Sequence, residues 1–159
     1  MRYFCSKRTK KFSMIGAIIL MQIAFSQLKG TTILAGDLFI HVIGVKKNKG
    51  VLRVALFQEN QSKKFPDQVK FAYKRQQTTA HKDGVKLTFR DLPPGYYAAA
   101  VFHDKNNNGK LDKNFFGMPK EKYGFSGGEN NNRRRAAKFD EARFSIAEND
   151  IKHIQIRLQ

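Results

Sequence analysis

Three observations predict an all-β fold for this chain. Apolar and polar residues alternate with a period of two, turn residues separate the alternating runs, and no convincing amphipathic helix is found. Leu38, Ile40 and Val42 alternate with Phe39 and His41, and Leu52, Val54 and Leu56 alternate with Arg53 and Ala55. Val69, Phe71 and Tyr73 share one face while Lys70 and Lys74 share the other. Val85, Leu87 and Phe89 alternate with Lys86, Thr88 and Arg90; Ile154, Ile156 and Leu158 alternate with His153, Gln155 and Arg157. Each run reads as a half-buried strand, because successive side chains of a strand point to opposite faces. Tyr96 to Phe102 is apolar on both faces, the pattern of a central strand.

Turn chemistry divides these runs. Lys46-Lys47-Asn48-Lys49-Gly50 reads as a hairpin loop and Lys82-Asp83-Gly84 as a tight turn. Pro93-Pro94-Gly95 must break any regular element, since proline lacks the amide donor. Phe139 to Phe144 (FDEARF) is the one short helical candidate, and Gly127 to Lys138 (GGENNNRRRAAK) reads as a polar surface loop. About seven strands at short spacing predict a single β-sandwich, of Greek-key immunoglobulin-like or transthyretin-like type, over residues 36–159.

The first residues read as a signal peptide. Arg2, Lys7, Arg8, Lys10 and Lys11 precede an apolar run from Met14 to Phe25, and Ala24-Phe25-Ser26 fits a small-x-small cleavage site, with Ala35 a later alternative. The run is shorter than the ~20 residues of a membrane-spanning helix, so the expectation is an exported protein, periplasmic or secreted, and not an integral membrane protein. Cys5 is the one cysteine in 159 residues and precedes the apolar run, which excludes the usual lipid attachment. Its removal with residues 1–26 would leave no disulfide, thiolate metal site or cysteine nucleophile. That removal takes five basic residues and no acid, lowering the net charge from +17 to +12. A field of this sign favours anionic partners such as acidic glycans or lipid surfaces. Nucleic acid is not expected, because no recognition motif is present.

One segment concentrates chemistry. Asp104-x-Asn106-x-Asn108-Gly109-Lys110-x-Asp112 places side-chain oxygens at positions 1, 3, 5 and 9 of a calcium-type loop. Glycine stands at position 6 and the Lys110 carbonyl at 7. Hard oxygen donors on a tightly turned loop replace the water of a hard cation. Position 12 holds Phe115 where a bidentate glutamate belongs, so Glu121, Asn114 or water would have to complete the shell. Lys105, Lys110 and Lys113 oppose the carboxylates, and any affinity is expected to be weak, on the order of 10⁻⁴ to 10⁻³ M. The competing reading is that Asp and Asn make turns here through bonds to their own backbone.

The same segment carries a resemblance. Leu92-Pro93-Pro94-Gly95-Tyr96 is followed by Val101-Phe102-His103-Asp104-x-Asn106-x-Asn108-Gly109-x-Leu111-Asp112-x-Asn114 and by Gly117-x-Pro119-x-Glu121-x-Tyr123-Gly124-Phe125-Ser126. With Gly50-x-Leu52-x-Val54-Ala55-Leu56-Phe57 and Phe139-x-x-Ala142-x-Phe144, these runs resemble the bacterial domain-of-unknown-function family 2141 over nearly all of the chain past the signal. The resemblance implies small exported β proteins with no established activity and no assigned catalytic residues. The asparagine run and Arg133-Arg134-Arg135 stand where such proteins have a shorter, less basic loop. The Leu-Pro-Pro-Gly-Tyr turn is also similar to turns in transthyretin-like and collagen-adhesin repeat sandwiches, which bears on the fold alone.

A non-catalytic ligand- or surface-binding module ranks first among the functional readings. A rigid sandwich carrying long polar loops is the usual frame of a recognition surface. Its expected ligand-binding residues are His103, Glu121, Tyr123, Ser126, Arg133, Arg134 and Arg135. Phe115, Phe116, Tyr123 and Phe125 add aromatic area suited to sugar or peptide, although aromatic residues beside strands are more often core. A structural envelope or secreted accessory protein ranks second. A hydrolase using His103 and Ser126 ranks last, because Gly124-Phe125-Ser126 lacks the strand–turn–helix context of a nucleophile elbow.

Overall fold

The computed structural model describes residues 34–127 and 135–159; the expected signal peptide, Arg133 and Arg134 lie outside the described residues. Ile33–Gln159 forms one compact unit. The strands are β1 (Gly36–Ile43), β2 (Val51–Gln58), β3 (Lys74–Thr79), β4 (Val85–Leu92), β5 (Gly95–Asp104), β6 (Tyr123–Phe125), β7 (Phe144–Ile146) and β8 (Ile151–Arg157). They form two packed sheets, a β-sandwich. One has the order β4-β1-β8; in the other β3, β2 and β5 lie side by side, and β6 and β7 both pair with the free edge of β5.

The period-two pattern is realised in the packing. Leu38, Ile40, Val42, Leu87, Phe89 and Ile156 of the first sheet face Leu52, Val54, Leu56, Tyr97, Ala99 and Val101 of the second. β5 is covered twice, as its composition predicts. Its outer face, with Ala98 beside Phe57, lies under Phe65, Phe139 and Ala142 in a second apolar cluster. Phe65 follows a 3-10 turn at Glu59–Lys64 that begins where Gln61 accepts the Gln58 amide at 2.9 Å. Phe139 and Ala142 belong to a one-turn helix, α1 (Phe139–Ala142), within the FDEARF segment.

Two sequence expectations change. Val69 to Tyr73 is not a strand: Val69–Phe71 is a 3-10 turn with both apolar side chains exposed, and the strand begins at Lys74. β3 (KRQQTT) shows no apolar alternation because it is an edge strand closed by polar contacts. Lys74 Nζ donates to the Arg90 carbonyl, and Gln76 Nε2 donates to the Thr88 carbonyl at 2.7 Å, so side chains of one sheet satisfy the edge of the other. The second change is at 46–50, which joins β1 to β2 across the two sheets and is not a hairpin. Turn residues mark a reversal of the chain; they do not select the strand that pairs.

β1 and β8 pair in parallel from Asp37 opposite Ile151 to Ile43 opposite Arg157. At the β6 edge the sheets nearly touch. The Gln159 amide donates to the Tyr123 carbonyl at 2.9 Å, and a Cβ on Gly124 would stand 2.6 Å from the Arg157 oxygen. Only glycine permits that approach.

Candidate functional site

The site grows from the last two residues of β5. Neighbouring strand residues face opposite ways, so His103 enters the space between the sheets opposite Leu52, while Asp104 lies on the outer face. Both are fully buried. His103 Nε2 lies 2.7 Å from the Lys49 carbonyl, which assigns the proton to Nε2. Nδ1, buried, has no hydrogen-bond partner.

Asp104 organises the loop that follows. Its Oδ2 accepts from Arg53 Nε at 2.7 Å and from the Gly109 amide at 2.8 Å, and its Oδ1 accepts from the Asn108 amide at 3.1 Å. Burial would raise this carboxyl's pKa, but the bonds from Arg53, Gly109 and Asn108 and the guanidinium charge outweigh it and hold it below the ordinary value. Arg53 also donates to Asn107 Oδ1 at 2.8 Å and to Gln77 Oε1 at 2.7 Å. Gly50 lets the neighbouring loop approach: it has φ +78°, and a Cβ there would stand 2.2 Å from the Asp104 carbonyl oxygen.

The predicted cation ligands bond to one another and to the loop backbone, and among the described residues no three acids or histidines are grouped to hold a metal ion. Asn106 Nδ2 donates to Asp112 Oδ2 at 2.8 Å, and Asn108 Nδ2 donates to Asp112 Oδ1 at 3.0 Å. Asn106 Oδ1 accepts the Asn108 amide at 3.3 Å, and Asn108 Oδ1 accepts the Lys110 amide at 2.8 Å. Glu121, buried, accepts the Lys105 amide at 2.8 Å and the Asp112 amide at 3.1 Å, clamping both feet of the loop. An ion entering here would compete with Arg53 for Asp104 and would require the two asparagine amides to turn.

Above the clamp stands a small hairpin. The Lys120 amide donates to the Asp112 carbonyl at 2.7 Å, and Lys113 bridges Pro119. Asn114 Oδ1 accepts the amides of Phe116 at 3.0 Å and Met118 at 2.9 Å; its carbonyl accepts the Gly117 amide at 2.9 Å. The tip carries Phe115, 97% exposed, Phe116, 84%, and Met118, 63%. The four aromatic residues that the sequence groups together therefore separate: Phe115 and Phe116 face solvent, while Phe125 is core and Tyr123 packs against it at 5.6 Å. Sequence reasoning did not place Met118 in the site; the polar neighbours Lys113, Asn114 and Lys120 are the signal that this run is not core.

Lysines surround the hairpin. Lys46, Lys47 and Lys49 are exposed on the loop packed against Lys105, and Lys110, Lys113 and Lys120 are exposed on the hairpin loop itself. Lys122, whose Nζ donates to the Leu158 carbonyl at 3.3 Å, has its pKa lowered by burial and by the nearby charges of Lys46 and Lys105.

The remaining predicted site residues lie elsewhere. Ser126 Oγ is buried, accepts the Ala99 amide at 2.8 Å and donates to the Ala142 carbonyl at 2.6 Å, tying α1 to β5. Its strand level is Ala99, four residues or ~13 Å along β5 from His103. His103, Asp104 and Ser126 thus occupy three separate environments and share no cleft. Arg135 forms two bonds to Glu141, at 2.7 and 3.0 Å, which keep its guanidinium protonated and offset its charge.

Fold and site together define a small two-sheet β-sandwich that carries a lysine-collared, hydrogen-bonded loop assembly at one end. The chain belongs to the DUF2141 family, described as an uncharacterized protein conserved in bacteria, which it matches over residues 40–155. No curated protein and no solved structure matches the chain.

Proposed function

We propose that the domain is an exported, non-catalytic module that binds anionic surfaces through the loop end formed by residues 44–50 and 105–122. One observation carries this reading. The acids of that end are engaged internally, Asp104 by Arg53 and backbone amides, Asp112 by two asparagine amides and Glu121 by two backbone amides. The lysines around them point outward without acidic partners in those bonds, so the field presented to solvent is positive. Such a field concentrates anionic ligands and speeds their encounter. Export is supported by the basic residues 2–11 and the apolar run after them.

The test is binding of the domain to immobilised heparin and to phosphatidylglycerol vesicles over a salt series. Attraction of this kind weakens steeply between about 50 mM and 0.5 M salt, as the screening length contracts. Lys113→Glu with Lys120→Glu should weaken it further at constant salt. Binding that ignores salt, or is absent at low salt, overturns the proposal.

A further inference from the structure

We propose that the Phe115, Phe116 and Met118 tip is an insertion wedge that seats the domain on an anionic phospholipid bilayer. The inference rests on the anionic-surface reading and names the class of surface. Two phenylalanines and a methionine with exposures of 97%, 84% and 63% stand within four residues at the tip of one hairpin. A patch of this kind marks an interaction surface on a soluble domain.

Three of the tip's amides are already satisfied within the hairpin. Amides that enter hydrocarbon without partners cost heavily. Here the amides of Phe116, Gly117 and Met118 are bonded to Asn114 within the hairpin itself. Phe116 packs edge-on against Phe115, with centroids 5.6 Å apart, so the two rings form one unit. Between Asn114 and Pro119 there is no charged residue, and Lys113 and Lys120 stand directly beyond, held level by the Lys113–Pro119 bridge. Lysines at that level reach phosphate head groups while an apolar tip enters ~5–10 Å. A groove on a protein would accept the phenylalanines, but the lysine collar on both arms of the hairpin matches a continuous sheet of phosphates. Asp104 and Glu121 fix the base of the hairpin, so little ordering remains to oppose binding.

The chain has no tryptophan, so Phe115→Trp is a clean fluorescent reporter. Residues 33–159 form a compact unit with its own core, and the experiment uses that unit to avoid the apolar run at 14–25. With vesicles of phosphatidylglycerol and phosphatidylcholine, the reporter should shift to the blue and be quenched by lipids brominated near the head of the acyl chain. Phe115→Ser with Phe116→Ser should keep its melting temperature, since both side chains are exposed, and lose at least about tenfold in vesicle affinity. Retained vesicle binding with an unshifted, unquenched reporter overturns the wedge and leaves electrostatic attachment standing. Heparin binding without vesicle binding overturns the choice of lipid, and no binding to either overturns both readings. If the double serine variant instead abolishes self-association of the domain, the tip belongs to a second copy and the wedge is wrong.

Discussion

Asp104 shows how one side chain sets a local structure. Its two oxygens receive a guanidinium and two loop amides, and its pKa is held below the ordinary carboxylate range. A carboxyl depressed in the folded state contributes stability that is present above the unfolded pKa of ~3.9 and is lost as pH falls through the folded value. Asp104→Asn should cost about 2–3 kcal/mol at neutral pH, because it leaves Arg53 without its buried partner. The gap between variant and parent should close in acid below about pH 4. A gap that is independent of pH would mean that the charge of Asp104 contributes nothing. The same melts, run with about 10 mM calcium and with chelator, decide between ion and turn in this loop. Arg53 already supplies the cation at Asp104, and we expect no calcium shift. A rise with calcium that Asp112→Asn abolishes would decide for the metal reading.

At the scale of elements, the strand end that builds the site depends on how closely the sheets meet. β6 delivers the chain from Glu121 and Lys122 back into the fold, and Gly124 brings it against the Arg157 carbonyl. Gly124→Ala would place Cβ 2.6 Å from that oxygen and 2.9 Å from Ile156 Cγ2. Relief requires β6 to move off β8, at about 1–3 kcal/mol. Hydrogen exchange should then quicken at the Gln159 amide, whose partner is the Tyr123 carbonyl. Unchanged protection there would mean that the edge contact is not what orders β6. This contact is not legible in the sequence, where Tyr123 and Ser126 read as ligand-binding residues. Phe125 and Ser126 are committed instead to the outer apolar cluster and to the α1 tether.

For the whole molecule, excess positive charge sets the response to salt. Residues 33–159 carry 24 Lys and Arg against 13 Asp and Glu, and like charges oppose compaction. Raising salt from about 10 to 300 mM should therefore raise the melting temperature of residues 33–159 by a few degrees, as repulsion is screened while the Arg53–Asp104 pair, with its carboxylate buried, is screened less. A fall with salt would mean that exposed ion pairs outweigh the repulsion. Surface attachment would draw on the same excess charge, so binding and stability should respond to salt in opposite directions.

What the sequence determined by itself was local. Alternation marked the buried faces of β1, β2, β4 and β8, because a strand shows its environment residue by residue. The double-apolar run marked β5 as covered on both sides. The Asp104–Asp112 spacing marked an organised loop, since short polar side chains turn their own backbone. Tertiary structure decided what depends on distant partners. It paired β1 with β8 in parallel, turned 46–50 into a crossing between sheets, and stitched the polar strand β3 to the edge of β4. It also supplied Arg53 to Asp104 from 51 residues away, and left Phe115 and Phe116 in solvent while burying Phe125. Spacing along a chain reports the faces of an element, whereas the groups that meet those faces are chosen only when the sheets close.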